Sequence, residues 1–257
     1  MTMVPDIAPY SVIFANKTKS VTPAQTTIIV PLYNYDHTIG LALDSVFEQT
    51  AQALSLVVVD DGSTDHSQDV CKQWMQQNAE RFVDVKLIAH DENAGLSAAR
   101  NTGFHHCQSP FGFTLDADNL LFPRCIARCE QALHDPKAGF AYPMLEVFGG
   151  DHGLLNTQLW SRSRLARGNY IDAMALIRKQ AWAEVGGYAH LPDGWEDFDL
   201  WCSFAEAGWH GVRVPEILAR YRVHPDSMLQ STTNRLAVLR KTARKLKKRH
   251  NWLKLQH

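Results

Sequence analysis

Phe111-Gly112-Phe113-Thr114-Leu115-Asp116-Ala117-Asp118 is an apolar run of strand length that ends in two carboxylates. Side chains on an extended segment alternate between faces, so Asp116 and Asp118 point the same way and together make a hard-oxygen site for a divalent cation. Such a site at a strand end suits a metal that neutralises the phosphates of a nucleotide. The competing reading is a plain turn, in which Asp satisfies backbone groups after a strand. A motif this short cannot choose between the two, but its surroundings can.

Upstream, Thr27-Ile28-Ile29-Val30-Pro31-Leu32 and Leu56-Val57-Val58-Val59 are continuous apolar runs, the pattern of parallel strands covered on both faces. Between them Ile39, Leu43, Val46 and Phe47 recur at helical spacing. Past Asp60-Asp61-Gly62-Ser63-Thr64-Asp65, where Ser or Thr can cap a helix, Val70, Cys71, Trp74 and Met75 mark a second stripe. Val85-Lys86-Leu87-Ile88 reads as a third strand. Asn93-Ala94-Gly95 opens a small-residue helix through Arg100, Asn101 and Gly103, and residues 111–115 form the fourth strand. The order βαβαβαβ predicts an α/β fold with a doubly wound, mainly parallel sheet. Ligands on such sheets bind beyond the carboxyl ends of the strands, where Pro31-Leu32-Tyr33-Asn34, Asp60-Asp61 and the Asp116/Asp118 pair fall.

Composition narrows the function. A formal net charge of −1 over 257 residues exerts no general pull toward nucleic acid, and no nucleic-acid partner is expected. Five cysteines, an odd number without paired spacing, point to a reducing compartment. Cys125 and Cys129, four apart on an expected helix, read as buried small hydrophobes rather than metal ligands. Residues 1–25 lack the basic start and apolar stretch of a secretory signal, and no apolar run reaches membrane-spanning length. A soluble cytoplasmic protein is expected.

Beyond Asn119 the character changes. A helix starts at Pro123 and a strand follows near residues 140–147. Residues 149–167 read as a mobile loop whose Arg162, Arg164 and Arg167 either reach phosphate oxygens or another anionic ligand, or stay solvated. Residues 177–185 read as a helix closed by Gly186-Gly187. Trp195-Glu196-Asp197-Phe198-Asp199-Leu200-Trp201 opens another helix, and acids in its first turn are also what the helix dipole favours. From residue 232 to 254, Leu236, Leu239, Ala243 and Leu246 repeat at three and four among Arg235, Arg240, Lys241, Arg244, Lys245, Lys247, Lys248 and Arg249. This basic amphipathic helix docks on the preceding domain or a second subunit, or makes a peripheral contact with an anionic membrane.

Taken in order, Pro31-Leu32-Tyr33-Asn34, Val59-Asp60-Asp61-Gly62-Ser63-Thr64-Asp65, Asn93-Ala94-Gly95-Leu96-Ser97-Ala98-Ala99-Arg100-Asn101, Leu115-Asp116-Ala117-Asp118 and Trp195 to Trp201 resemble an inverting family 2 glycosyltransferase of the GT-A fold. The resemblance spans residues 27 to 227. It implies a nucleotide-sugar-binding part over 26–120 and an acceptor-binding and catalytic part over 121–228, and it leaves uncovered an N-terminal extension over 1–25 and the basic helical tail over 229–257. It also implies a nucleotide-diphosphate sugar donor, UDP-linked in the first instance, and a Mn²⁺ or Mg²⁺ ion. Transfer would go to a carbohydrate or glycolipid hydroxyl in surface polysaccharide or glycoconjugate synthesis.

Residue by residue, the resemblance implies Asp118 as metal ligand and Asp116 at the ribose or a metal-bound water. Asp61 would read the base with Pro31 and Tyr33, and Arg100 would lie near base or diphosphate. Asp197 is implied as catalytic base, Glu196 as positioning the acceptor, and Trp195 as a flat face for a sugar ring. Tyr221-Arg222-Val223-His224-Pro225 resembles a segment near the diphosphate, where His224 contacts the metal or a phosphate or is a structural histidine. Asn119 stands where family members often carry another acid. Two alternatives stay open. A nucleotidyltransferase would want a Gly-rich, basic phosphate loop near the first strand, which is missing. Against a non-catalytic nucleotide-sugar-binding module stand the intact Asp118 and Asp197.

Overall fold

The structure, a computed structural model, describes residues 5, 7–18, 22–225 and 236–255. Arg235 and the other tail residues before Leu236, and the last part of the family resemblance from residue 226, lie outside the described residues. The strands are β1 (Tyr10–Lys17), β2 (Thr26–Leu32), β3 (Leu54–Asp60), β4 (Asp84–His90), β5 (Phe111–Thr114), β6 (Leu120–Leu121), β7 (Ala138–Gly149), β8 (Gly153–Leu155), β9 (Leu176–Arg178) and β10 (His210–Val223). The helices are α1 (Ile39–Phe47), α2 (Ser67–Asn78), α3 (Leu96–His106), α4 (Cys125–Ala132), α5 (Arg162–Leu165), α6 (Lys179–Glu184), α7 (Glu196–Glu206) and α8 (Leu236–Arg249).

All ten strands join one sheet, ordered β1-β4-β3-β2-β5-β9-β7-β10-β6, with β8 on β7. As the strand–helix alternation predicts, β4, β3, β2 and β5 run parallel. Every residue of β2 and β3 is buried, because both faces are covered. Ile28, Val30 and Leu32 pack with Leu43, Val46 and Met75 on one face, while Ile29 packs with Phe104 and Trp182 on the other. Gly103 lets α3 lie directly on β2, since a Cβ there would stand 2.2 Å from Ile29 Cγ2. Cys125 and Cys129 are fully buried in the core, and all five thiols are free.

Several local expectations change. The N-terminal stretch supplies β1, antiparallel to β4 with Tyr10 opposite His90, and its irregular burial has no period for a pattern to reveal. α2 starts without a Ser or Thr cap; Asp65 Oδ1 accepts from Ser67 N at 3.0 Å instead. Residues 177–185 are not one helix. Ile177 sits in β9 between Gly112 of β5 and Phe140 of β7, and a short apolar run fits a buried strand as well as a helix. Residues 149–167 contain β8 and α5 rather than an open loop. The Arg162 guanidinium lies 4.9 Å from the Trp252 ring centre and that of Arg164 5.8 Å from Tyr170, so both arginines have partners within the protein.

The tail docks on its own domain. Ala243 and Leu246 of α8, with Leu253 and Leu255 beyond it, are buried beside Phe198, Leu200 and Trp201 of α7. Leu236 at the start of α8 is 72 % exposed, so the expected apolar stripe is used only along its second half. Among the described residues, no helix is long and apolar enough to cross a membrane.

Candidate active site

The carboxyl ends of the parallel strands form one rim. Asp61, just after β3, accepts from Ala94 N at 2.9 Å and Gly95 N at 2.8 Å, and lies 2.6 Å from His90 Nδ1. His90 Nε2 continues to Thr102 Oγ1 at 2.8 Å. Gly95, with φ of 92°, turns its amide toward the carboxylate. Both Asp61 oxygens therefore take protein donors and knit the ends of β3 and β4 to the start of α3. Pro31 is enclosed in β2 opposite Val59, whereas Tyr33 stands 45 % exposed on the rim. Behind it Asn34, at φ of 57°, accepts from Thr64 N at 2.8 Å.

β5 stops at Thr114, and the acidic pair sits on a turn closed by Asn119 N donating to Asp116 O at 3.1 Å. On this turn, rather than on an extended strand, the two carboxylates take different partners within the protein. Asp116 Oδ1 accepts from Arg100 Nη2 at 2.7 Å, while Asp118 Oδ2 lies 3.0 Å from His224 Nε2. Tyr35 Oη is 3.4 Å from the same imidazole nitrogen. Burial, with the Asp116 charge next, pushes the Asp118 carboxyl up to about 6. Asn119 Oδ1 accepts from Arg222 N at 2.8 Å, and Arg222 Nε donates to Asp118 O at 2.8 Å. Those two bonds bring the end of β10, and with it His224, onto the turn.

Among the described residues, no three acidic, His or Cys side chains already converge on one point. Asp118 and His224 nevertheless fit a divalent cation as a pair, one hard oxygen beside one imidazole nitrogen, with a raised carboxyl whose proton a cation displaces.

The other acidic motif faces this one. Arg100, 1 % exposed, forks between them: Nη2 donates to Asp116 and Nη1 to Glu196 Oε1. Asp197 lies outside the fork. Its Oδ2 accepts from Asn169 Nδ2 at 2.9 Å and its Oδ1 from Phe198 N at 2.7 Å. Burial, with the Glu196 charge second, raises it to about 7, a value suited to taking a proton near neutral pH. Trp195 opens α7 with φ of 70°, its ring edge-on to Phe198 at 5.8 Å. Between the motifs runs residues 169–175, where Asp172 is pushed up to about 8 by burial and then by Asp116. Asn169, Asp172, His90 and Tyr35 carry no spacing or motif that marks them in the sequence; only the fold brings them here.

The sequence pattern of glycosyl transferase family 2 matches residues 27–191, stopping just before Trp195. Putative glycosyltransferase EpsE of Bacillus subtilis (strain 168) is 27 % identical over 210 residues, which is 79 % of this chain and 74 % of EpsE. Among solved structures, the mannosyltransferase PcManGT from Pyrobaculum calidifontis, in complex with GDP-Man and Mn²⁺, superposes with a TM-score of 0.64 at 20 % identity, over 81 % of this chain and 59 % of that one. Residues 1–349 of S. aureus TarS, in complex with UDP-GlcNAc, superpose at 0.69 and 15 % identity, over 81 % and 61 %. The chain thus spans about three-fifths of these solved chains, whose likeness establishes the GT-A architecture of the sheet and rim. Glycosyltransferase relatives leave neither the nucleotidyltransferase nor the non-catalytic reading standing. A pattern matched over well more than half of the residues, a relative aligned along most of the chain and a shared fold agree: the chain belongs to glycosyl transferase family 2.

Proposed function

We propose that the protein moves a sugar from a nucleoside-diphosphate donor, a UDP-sugar in the first instance, to an acceptor hydroxyl with inversion at the anomeric carbon. The observation that carries this reading is the Arg100 fork, which puts the donor-side acid Asp116 and the acceptor-side acid Glu196 on one buried guanidinium. Asp197 takes the proton of the acceptor hydroxyl as its oxygen bonds to the anomeric carbon. The bond from that carbon to the diphosphate breaks on the opposite side, which inverts the centre in one displacement. Glu196 and Trp195 orient the acceptor. Tyr33, Pro31 and the Asp61 turn shape the base pocket, and Asp116 takes the ribose.

Expulsion of the diphosphate builds negative charge beside Asp116 and Asp118. Two like unit charges about 4 Å apart oppose each other by roughly 4 kcal/mol at an effective dielectric of about 20. Asp118 and His224 would hold a Mn²⁺ or Mg²⁺ ion, which when bound neutralises that charge. The solved neighbours in complex with GDP-Man and Mn²⁺, and with UDP-GlcNAc, support a nucleotide-sugar donor and a divalent ion. Asp118→Asn should therefore keep the fold and lose Mn²⁺-dependent UDP affinity, read by calorimetry. Equal affinity with and without Mn²⁺ in the wild type would remove the metal from this account.

The acceptor we infer is a carbohydrate or glycolipid. Arg240, Arg244, Lys247 and Lys248 on the solvent side of α8 support a peripheral contact with an anionic membrane, each basic residue contributing about 1 kcal/mol near such a surface. Five free, buried thiols are in keeping with a reducing, cytoplasmic setting. The test of the whole reading is a panel of nucleotide sugars scored for hydrolysis and thermal stabilisation with and without Mn²⁺. If none is turned over and none stabilises the protein, the proposed activity is wrong.

A further inference from the structure

The C-terminal tail brackets the motif that carries the catalytic base. Lys241 Nζ meets Asp193 Oδ2 at 2.9 Å, two residues before Trp195. Arg249 donates through Nε and Nη2 to both oxygens of Asp199, at 2.5 and 3.0 Å, two residues after Asp197. His250 Nε2 lies 3.0 Å from the same carboxylate, which is 1 % exposed. His250 Nδ1 and Trp252 Nε1 both reach Glu206 Oε1 at the far end of α7, at 3.0 and 2.6 Å. Trp252 also stacks under Arg162 of α5, and Lys254 N donates to Ala166 O at 2.6 Å. Three residues on from Ala166 is Asn169, the residue that holds Asp197.

Between those anchors the backbone is strained. Gly194 and Trp195 have φ of 93° and 70°, and a left-handed tryptophan is a conformation that its surroundings must enforce. Docking alone needs only Ala243, Leu246, Leu253 and Leu255, which bury in the core beside α7. The polar contacts add something else: they fall on the carboxylates that flank the strained turn on either side.

We propose that the tail is a positioning clamp for the base, with Lys241, Arg249 and His250 as positioning residues that hold the 193–195 turn and the first turn of α7 in the form that presents Asp197. Trp252 and Lys254 tie in the segment bearing Asn169, so the base and the side chain that orients it move as one unit. The tail's clamping residues and the Asp193 and Asp199 carboxylates they hold lie outside residues 27–191, which the family pattern covers, whereas the segment from Arg162 to Asn169 lies inside it. It rests on the reading of Asp197 as base for its consequence, though its structural effect does not depend on that reading.

The test uses the full chain with Lys241→Met, Arg249→Met, both together, and Arg249→Lys. Amide exchange is followed by mass spectrometry, binding with UDP and Mn²⁺, and turnover with the nucleotide sugar the donor panel selects. In the double variant, exchange over residues 192–199 should quicken by about tenfold while residues 85–104 hold within about twofold. UDP affinity and the donor KM should stay, kcat should fall by about tenfold, and Arg249→Lys should recover most of it. Unchanged exchange over 192–199, or exchange rising equally across the parallel strands, overturns the clamp and leaves an ordinary stabilising helix. Full activity of Asp197→Asn alongside the local exchange effect would overturn the base assignment and not the hold on the turn.

Discussion

Asp197→Asn is expected to bind UDP as the wild type does and to transfer sugar about 10²–10⁴-fold more slowly, the usual share of a positioned general base. The asparagine keeps the shape and can still accept from Asn169, so the change removes proton affinity and little else. Because the wild-type carboxyl is raised to about 7, wild-type kcat should climb with pH through that value as the base loses its proton. The variant's residual rate should lack that limb. Steady-state kinetics between about pH 5.5 and 8.5 checks both statements. A near-wild-type rate would move the base elsewhere, first to Glu196.

The same shift fixes a sign for stability. The folded protein keeps a proton on Asp197 that an unfolded chain, with the ordinary value of 3.8, releases earlier. Stability linked to this group is therefore complete below that ordinary value and is lost as pH rises through about 7. Asparagine cannot ionise, so the slow variant should melt higher than the wild type at about pH 8 and show less advantage at about pH 5. Loss of rate together with a gain in stability at high pH is a signature that general damage to the fold does not produce.

The parallel half was legible because its signals are local. Runs such as Ile28 to Val30 and Val57 to Val59 need no partner information to read as buried strands, and the Gly- and Asp-rich turns after them mark carboxyl ends. The far half depends on pairing across long separations. Ile177 becomes a strand residue only because β5 and β7 stand on either side of it. Spacing suggested that Asp116 and Asp118 act as one cation site, yet a tight turn sends one to Arg100 and the other to His224. Asn169 is a single amide in an irregular segment, and nothing but the folded path of the chain aims it at Asp197. The tail's apolar repeat was readable, but not that its cations would be spent on Asp193 and Asp199.

Arg100→Met is expected to be the most damaging single change to the fold at this site. Methionine fills similar volume, so the defect is electrostatic: Glu196, its side chain 6 % exposed, and Asp116, 28 % exposed, would face each other without the guanidinium. Removing one partner from a buried ion pair typically destabilises by about 3–5 kcal/mol. Water reaching Asp116 argues for the lower end. At about 2–4 °C per kcal/mol for a chain of this size, the melting temperature should fall by roughly 6–12 °C. Arg100→Lys keeps the charge but cannot span two carboxylates, so its loss should be intermediate. Adding Glu196→Gln to Arg100→Met removes the stranded charge and should recover part of the stability without recovering turnover. That split separates the two duties proposed for the fork, neutralising buried acids and holding the donor end against the acceptor end. A melting temperature for Arg100→Met within about 2 °C of wild type would mean that the fork does not bear the load that joins the two motifs.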